Sequence, residues 1–536
     1  MRHRLAVTSA IAVGVAAALL PGSWCGPAAA AARGTHAVPP GLAAAIHARL
    51  GPGSINSRAV LGSTIAPEFG FALALSADGT TALVGADGAN DQKGAAYVFH
   101  VSDAGLWSST DTPAAVLTST SSYFFGLAVA LSADGTTAFV GALYPGHGAV
   151  YVFHVSAEDA WSSSSTPNAV LTASGGDLGS VGLAVSSDGT ALIVGAPFRD
   201  SELGGAYIFH AASESAWAST STPTASLTNA AETHPAGTCC GAGYAVAMSA
   251  DGTTVLVSDA DNPSGVRAYV FHAPSEDAWT TSSTPTAILS DANITEPSDY
   301  DVPLALSGDG TVAFLGSSGF NNATGVVDVF HTSAEAAWVS TSTPTATLTV
   351  AGGSSGDGFG TRLAVSADGT TAVVTAVGVN ASRGAAYIFR VADEAAWASS
   401  SAPTATLTKS GALADDTFGS AALSADGATV LGGAPGVRSV TGAAYVFHVS
   451  AASSWSSSST PTAALTVSAL ERCVVPRLKG RTVRAARSAL KARSCRLGRV
   501  TRVHARRGRR GRVISQSEEP GVRLAVGTKI AVKIKK

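Results

Sequence analysis

The feature that most constrains this 536-residue chain is an internal repeat. The motif Ser-x-Asp-Gly recurs seven times, with its aspartate at Asp78, Asp134, Asp188, Asp251, Asp309, Asp368 and Asp426. A tryptophan follows each by 27 to 29 residues, at Trp107, Trp161, Trp217, Trp279, Trp338, Trp397 and Trp455. Between them lies an aromatic segment, Tyr97-Val98-Phe99-His100 in the first copy and Tyr445-Val446-Phe447-His448 in the last. A fixed period dictates architecture, because each unit has an apolar face that only its neighbours can bury.

One unit reads as four strands. In the second copy Phe125-Gly126 opens the first, Leu127 to Leu131, and Asp134-Gly135 supplies a turn that tolerates positive φ. Thr136 to Ala142 and Ala149 to Val155 follow; a Ser/Thr-Pro loop after Trp161 leads to Ala169–Thr172. Four short strands per period of 54 to 63 residues predict a propeller blade. The fourth-strand pattern also precedes the first copy, at Arg58-Ala59-Val60-Leu61, so either Ala59-Val60 or Ala464-Leu465 is expected to complete a blade when the ring closes. One tryptophan per unit is read as an inter-blade packing residue. The repeated histidine (His100, His154, His210, His272, His331, His448) gives way to Arg390 in the sixth copy, which suits a partly exposed strand position better than a metal ligand.

Charge divides the chain. From Glu471 to Lys536 there are 21 Lys/Arg against 3 Asp/Glu, while the rest holds 13 basic and 34 acidic side chains. Such asymmetry predicts two units with different partners. At the N-terminus Arg2 and Arg4 precede the apolar run Leu5–Leu20 and the small residues Ala30-Ala31-Ala32, the pattern of a cleaved secretory signal. Trp24 before Cys25 spoils a lipid-anchor motif, and no other stretch has the roughly 20 apolar residues of a membrane span. The expected organisation is a signal peptide over 1–32, a linker over 33–56, the propeller over 57–468 and a basic domain over 472–536.

The blades resemble FG-GAP repeats, the units of integrin-α-like propellers. Phe-Gly stands at Phe69-Gly70, Phe125-Gly126, Phe359-Gly360 and Phe418-Gly419, and Gly-Ala-Pro at Gly195–Pro197 and Gly433–Pro435. The fourth and fifth copies depart most, with Gly243-Tyr244 and Val302-Pro303 near the Phe-Gly position. The resemblance implies calcium loops of the form Asp-x-Asp-x-Asp-Gly in some blades. The nearest matches are Asp87 and Asp91 with Asn90, and Asp259 and Asp261 with Asn262. Calcium takes 6 to 8 oxygens, so the preferred reading is turn-forming residues; no metal or other cofactor is predicted, and these four carboxylates are the calcium candidates.

The basic domain resembles a PASTA module, through Val475-Pro476, Leu478, Gly480, Thr482, Ala486, Leu490, Leu497-Gly498, Val513–Ser517, Pro520-Gly521, Gly527 and Ile530. Glu518 departs from the family's usual proline. Thr482 is the expected helix N-cap, Val483 to Ala492 the helix and Arg512 to Ser515 a strand. In an oxidising compartment Cys473 and Cys495 are read as a disulfide closing a 23-residue loop, stabilising by about 3 kcal/mol. The family implies peptidoglycan as partner, and the dense run Arg506, Arg507, Arg509, Arg510, Arg512 implies an anionic wall polymer or lipid headgroup. A solvated loop without a partner is the plain alternative. Export and the lack of interleaved aromatics argue against nucleic acid.

No His-Glu-x-x-His or phosphate-binding loop occurs, and the one Gly-x-Ser-x-Gly string, Gly352–Gly356, lies in a Gly/Ser-rich stretch and is not read as a nucleophile elbow. The longest connection holds Glu232, His234, Cys239 and Cys240; the adjacent cysteines read as a vicinal disulfide or as pairing elsewhere, ahead of a metal site. The fold expected is mainly β, a seven-bladed β-propeller followed by a small α+β PASTA-like domain. The function expected is a secreted, wall-associated bacterial binding or adhesion protein whose propeller takes an unknown protein or carbohydrate ligand. The alternatives are a purely structural surface protein and an exported hydrolase or lyase working in the central channel.

Overall fold

The computed structural model describes residues 68–467 and 473–536, apart from 121, 144–147, 175–177, 179–181, 200–202, 232–240, 260–265, 295–301, 438–440, 492–495, 505–508, 519, 521–522 and 525–528. Two compact units divide at Thr466/Val467.

Within the first unit the described residues form seven four-stranded antiparallel sheets, each built from four consecutive strands paired in chain order. In the second sheet these are Val129–Leu131, Thr137–Ala142, Ala149–His154 and Ala169–Leu171. Register runs from Thr137 opposite His154 to Ala142 opposite Ala149. The Asp-Gly turn joins the first two strands. Gly135 takes φ +69°, and a β-carbon there would collide with the Glu158 carboxyl of the same blade, so the position needs glycine. The Phe-Gly glycine is constrained by a different approach: Gly126 takes φ +92°, and a β-carbon would lie 2.5 Å from the Ala95 carbonyl of the preceding blade.

Each hydrophobic cluster draws on two successive blades. Leu83, Val98 and Leu117 of the first pack with Val140, Tyr151 and Trp161 of the second. Fully burying one such aliphatic side chain is worth about 1.5–3 kcal/mol, so a blade is stable only between neighbours. The first strands of the sheets neighbour one another in succession, the last against the first, and so line the axis of a β-propeller.

Among the described residues, ring closure uses no shared strand. Ala463–Leu465 is the fourth strand of the last sheet, and the first sheet has its own complete set, Leu73–Leu75 to Ala115–Leu117. Of the two alternatives for completing a blade, Ala464-Leu465 does so, while Ala59-Val60 lies outside the described residues. The outer strand meets the next blade through a single parallel bridge, Leu117 to Ser164 at the first junction and Leu465 to Thr110 at the closing one. The seam is sealed again by Phe69 against Gly442 and by the Ser420 hydroxyl donating to the Phe71 carbonyl at 2.8 Å.

In the second unit the helix Val483–Lys491 packs on a sheet in which Lys529–Lys535 is central, parallel to Arg496–Val503 and antiparallel to Val513–Gln516. Thr482 accepts the Ala485 N–H on its hydroxyl at 3.2 Å, the cap expected of it. Val475, Leu478, Ala486, Leu490, Val513, Ile530, Val532 and Ile534 form the core. Among the described residues no helix is long and apolar enough to cross a membrane.

Candidate functional site

The repeat motifs converge on one latch at the blade junctions. In the first blade the Ser76 hydroxyl donates to Asp78 at 2.7 Å, the Thr80 N–H donates to the same carboxylate at 3.0 Å, and the Trp107 indole donates to the Gly79 carbonyl at 2.8 Å. The indole bond recurs in all seven blades. Packing across the junction is visible where Trp217 meets Phe139 edge-on at 5.3 Å and Trp397 meets Phe314 at 5.2 Å. Burial pushes the Asp78, Asp188, Asp251, Asp309 and Asp368 carboxyls up. Hydrogen bonds from the adjacent serine and threonine outweigh it and leave them below the usual range.

A glutamate three residues before the tryptophan completes five junctions. Glu158 accepts both Thr80 and Thr81 hydroxyls of the preceding blade, at 2.9 and 2.7 Å, and lies 3.8 Å from His100. Glu214, Glu276, Glu335 and Glu394 repeat the contact with Thr136, Thr190, Thr253 and Thr311. The histidines are therefore largely covered, with side chains 18% to 22% exposed where they face these glutamates. Sequence reasoning missed the glutamates, although their constant offset from the tryptophan was the signal. At two junctions the position is alanine, Ala452 and Ala104. There the buried Thr371 hydroxyl has no partner.

Acids stand at two further places where other blades carry apolar or aromatic residues. Asp87 occupies the site of Pro197 and Val377, with Oδ1 buried and unpartnered. Burial, then the neighbouring Glu68, pushes its carboxyl far above the usual range. Asp328 replaces the tyrosine of the aromatic strand. Burial and then Asp291 raise it to about 7, and Thr347 donates to it at 3.2 Å. Asp259 is held differently, accepting the Tyr269 hydroxyl at 2.6 Å.

An orphaned oxygen is a cation-ligand feature, but among the described residues no group of three or more His, Cys, Asp or Glu side chains converges as metal ligands. Asn90 donates its amide to the Gly94 carbonyl at 3.2 Å. The Asp91 side chain and Asp261 lie outside the described residues.

The seven innermost strands hold Leu, Ala, Val, Met, Phe, Gly, Thr and Ser, and Arg362 is their one ionisable residue. A shallow pocket elsewhere is lined by Leu203, Thr228, Asn229 and Tyr269.

The second unit is the charged surface. Arg509 and Arg510 are exposed on the turn before Val513–Gln516, and the Arg512 guanidinium donates to the Gly480 carbonyl at 3.1 Å. Arg506 and Arg507 lie outside the described residues, as do Cys495, Cys239, Cys240, Glu232 and His234. Cys473 is described only as backbone, in a two-residue strand opposite Leu524.

Comparison with known proteins matches the PASTA domain family to residues 474–536 and the FG-GAP repeat family to residues 343–389. No curated protein matches. Solved structures similar to this chain include Kuenenia stuttgartiensis hydrazine synthase, 11% identical, over 72% of this chain and 97% of that one, with a TM-score of 0.45. The β-propeller domain of Cps50 (Swd1) from Myceliophteria thermophila is 10% identical over 71% and 96%, with a TM-score of 0.43. Chaetomium thermophilum Sqt1 is 14% identical over 74% and 85%, with a TM-score of 0.41. The chain is a β-propeller that carries an FG-GAP repeat, followed by a C-terminal PASTA domain.

Proposed function

We propose that this is an exported, non-enzymatic binding protein whose PASTA domain tethers it to peptidoglycan or an anionic wall polymer, while the propeller presents a surface to a protein or carbohydrate ligand. The observation that carries the reading is a PASTA-family domain whose surface is overwhelmingly cationic, with 21 Lys/Arg against 3 Asp/Glu over Glu471–Lys536. Residues 1–32 direct export, residues 33–56 link to the propeller, and Cys473 pairs with Cys495 outside the cytoplasm. The apolar inner strands favour a platform over a catalytic channel, because acid–base chemistry needs groups that exchange protons and Arg362, the one ionisable residue of those strands, stays protonated.

Co-sedimentation with purified sacculi tests the tether. The full mature chain is expected in the pellet and a chain ending at Thr466 in the supernatant. Equal behaviour of the two would overturn the assignment to the PASTA domain.

A further inference from the structure

The sheet of the PASTA domain has a second face. Ile530, Val532 and Ile534 of the central strand are buried in the core, so the alternating residues Lys529, Ala531, Lys533 and Lys535 lie on the opposite, solvent side. Register extends that side across the sheet. Thr501 on one flank and Ser515 on the other stand opposite Lys533, and Arg496 stands opposite Lys529. Arg496, Thr501, Ser515, Lys529 and Lys533 are all exposed.

At roughly 4.8 Å between strands, the row Thr501–Lys533–Ser515 sets one ammonium between two hydroxyls. At roughly 3.3 Å per residue, Lys529 to Lys535 spans about 20 Å along the strand. The track runs on into the arginine turn, for the Gly511 N–H donates to the Lys535 carbonyl at 3.0 Å and the Lys535 N–H to the Arg512 carbonyl at 3.1 Å. Among the described residues none of these cations has a carboxylate partner. No Phe, Tyr or Trp occurs anywhere in 472–536, so the face has no ring on which a base could stack.

Resting on the wall-tether reading, we propose that this face is the docking track for a linear polyphosphodiester of the cell wall. The polymer lies along Lys529–Lys535, with one phosphate seated on Lys533 and hydrogen-bonded by the Thr501 and Ser515 hydroxyls. Hydroxyl donors beside a point charge suit phosphate, whose oxygens accept several hydrogen bonds at once. Repeated phosphates along an extended chain then match repeated lysines along a strand.

The test measures binding of the full mature chain to poly(glycerol phosphate), to poly-L-glutamate and to single-stranded DNA, each over a salt series. Three proteins are compared: the natural chain, K529Q/K533Q/K535Q, and the charge-neutral T501V/S515A. The lysine variant is expected to lose tenfold or more in affinity for poly(glycerol phosphate), with its salt slope reduced by about 2 to 3 units. The hydroxyl variant is expected to lose at least threefold for poly(glycerol phosphate) and nothing for poly-L-glutamate. The substituted positions are exposed, apart from the half-buried Lys535, and unchanged thermal melting verifies the fold.

Wild-type affinity for the lysine variant, or equal losses of the hydroxyl variant on both polymers, would overturn the track. Tighter binding of DNA than of poly(glycerol phosphate) would also overturn it, in favour of nucleic acid. Binding of the natural chain to bare sacculi but not to the polymer would sink the track and leave the tether standing. Binding to neither would remove both.

Discussion

Ala425 donates its backbone N–H to the carbonyl of Ala77 at 2.8 Å, closing a ring of hydrogen bonds that no pairwise reading of the repeats reveals. The variable residue of each Ser-x-Asp-Gly turn makes the same bond to the next: Ala77 to Ala133, Ala133 to Ser187, Ser187 to Ala250, Ala250 to Gly308, Gly308 to Ala367 and Ala367 to Ala425. Each turn is held rigid by its aspartate and by the tryptophan indole beneath it, so the ring depends on side chains that never touch the axis.

The tryptophans therefore act twice, packing across the junction and, through the indole bond, holding the turn of their own blade. Trp397→Phe keeps most of the packing against Phe314 but leaves the Gly369 carbonyl without its donor, at a cost of about 1–2 kcal/mol. Trp397→Ala adds a cavity and should cost about 3–5 kcal/mol. Urea unfolding of the propeller unit measures both, and equal costs would mean that packing contributes nothing.

Two junctions lack the glutamate, and one of them leaves Thr371 without a partner. Ala452→Glu restores the acceptor beside Arg390 at the same offset from the tryptophan. The expected gain is about 0.5–1.5 kcal/mol, read as a rise in melting temperature. A fall would show that the junction has repacked around alanine.

Asp328 makes stability depend on pH in an unusual direction. Its folded pKa, about 7, lies above the ordinary value of 3.8, so the native state binds the extra proton across that interval. Its contribution is present at acid pH and is lost as pH rises from about 4 to 7. Asp328→Asn should remove that loss and stabilise the protein at pH 8 by on the order of 2 kcal/mol. A variant whose pH dependence matches the parent would contradict the assignment.

The turn aspartates act with the opposite sign. Asp78, Asp188, Asp251, Asp309 and Asp368 are held below the ordinary 3.8, so the unfolded chain binds more protons than the native one. Their stabilisation is complete above about pH 4 and fades as pH falls through the lowered values. Acid unfolding of Asp251→Asn should show a shallower slope below pH 4 than the parent, and an unchanged slope would exclude that residue from the transition.

The repeat was legible because its markers are each fixed by local chemistry: Asp-Gly by the turn, tryptophan by its carbonyl partner, Phe-Gly by close backbone approach. The order of strands followed from them, while the PASTA helix beginning after Thr482 was legible separately, from the family resemblance and the capping threonine. Ring closure was not legible, since Arg58–Leu61 and Ala463–Leu465 share one pattern, and only the structure shows Ala463–Leu465 paired as the fourth strand of the last sheet. The glutamates escaped notice because their partners, Thr80 and Glu158 for example, stand 78 residues apart. The Lys533 row was hidden for a related reason. Alternation in Lys529–Lys535 is visible in the chain, but its hydroxyl flanks come from strands that only the register sets beside it.

Salt dependence of binding to sacculi tests the tether most directly. Sacculi bearing their anionic polymer and sacculi stripped of it are each mixed with the full mature chain from low to high ionic strength. The account predicts strong retention on polymer-bearing sacculi that weakens steeply as salt shortens the screening length, with less retention on stripped ones. Retention on neither preparation at any salt concentration would contradict it.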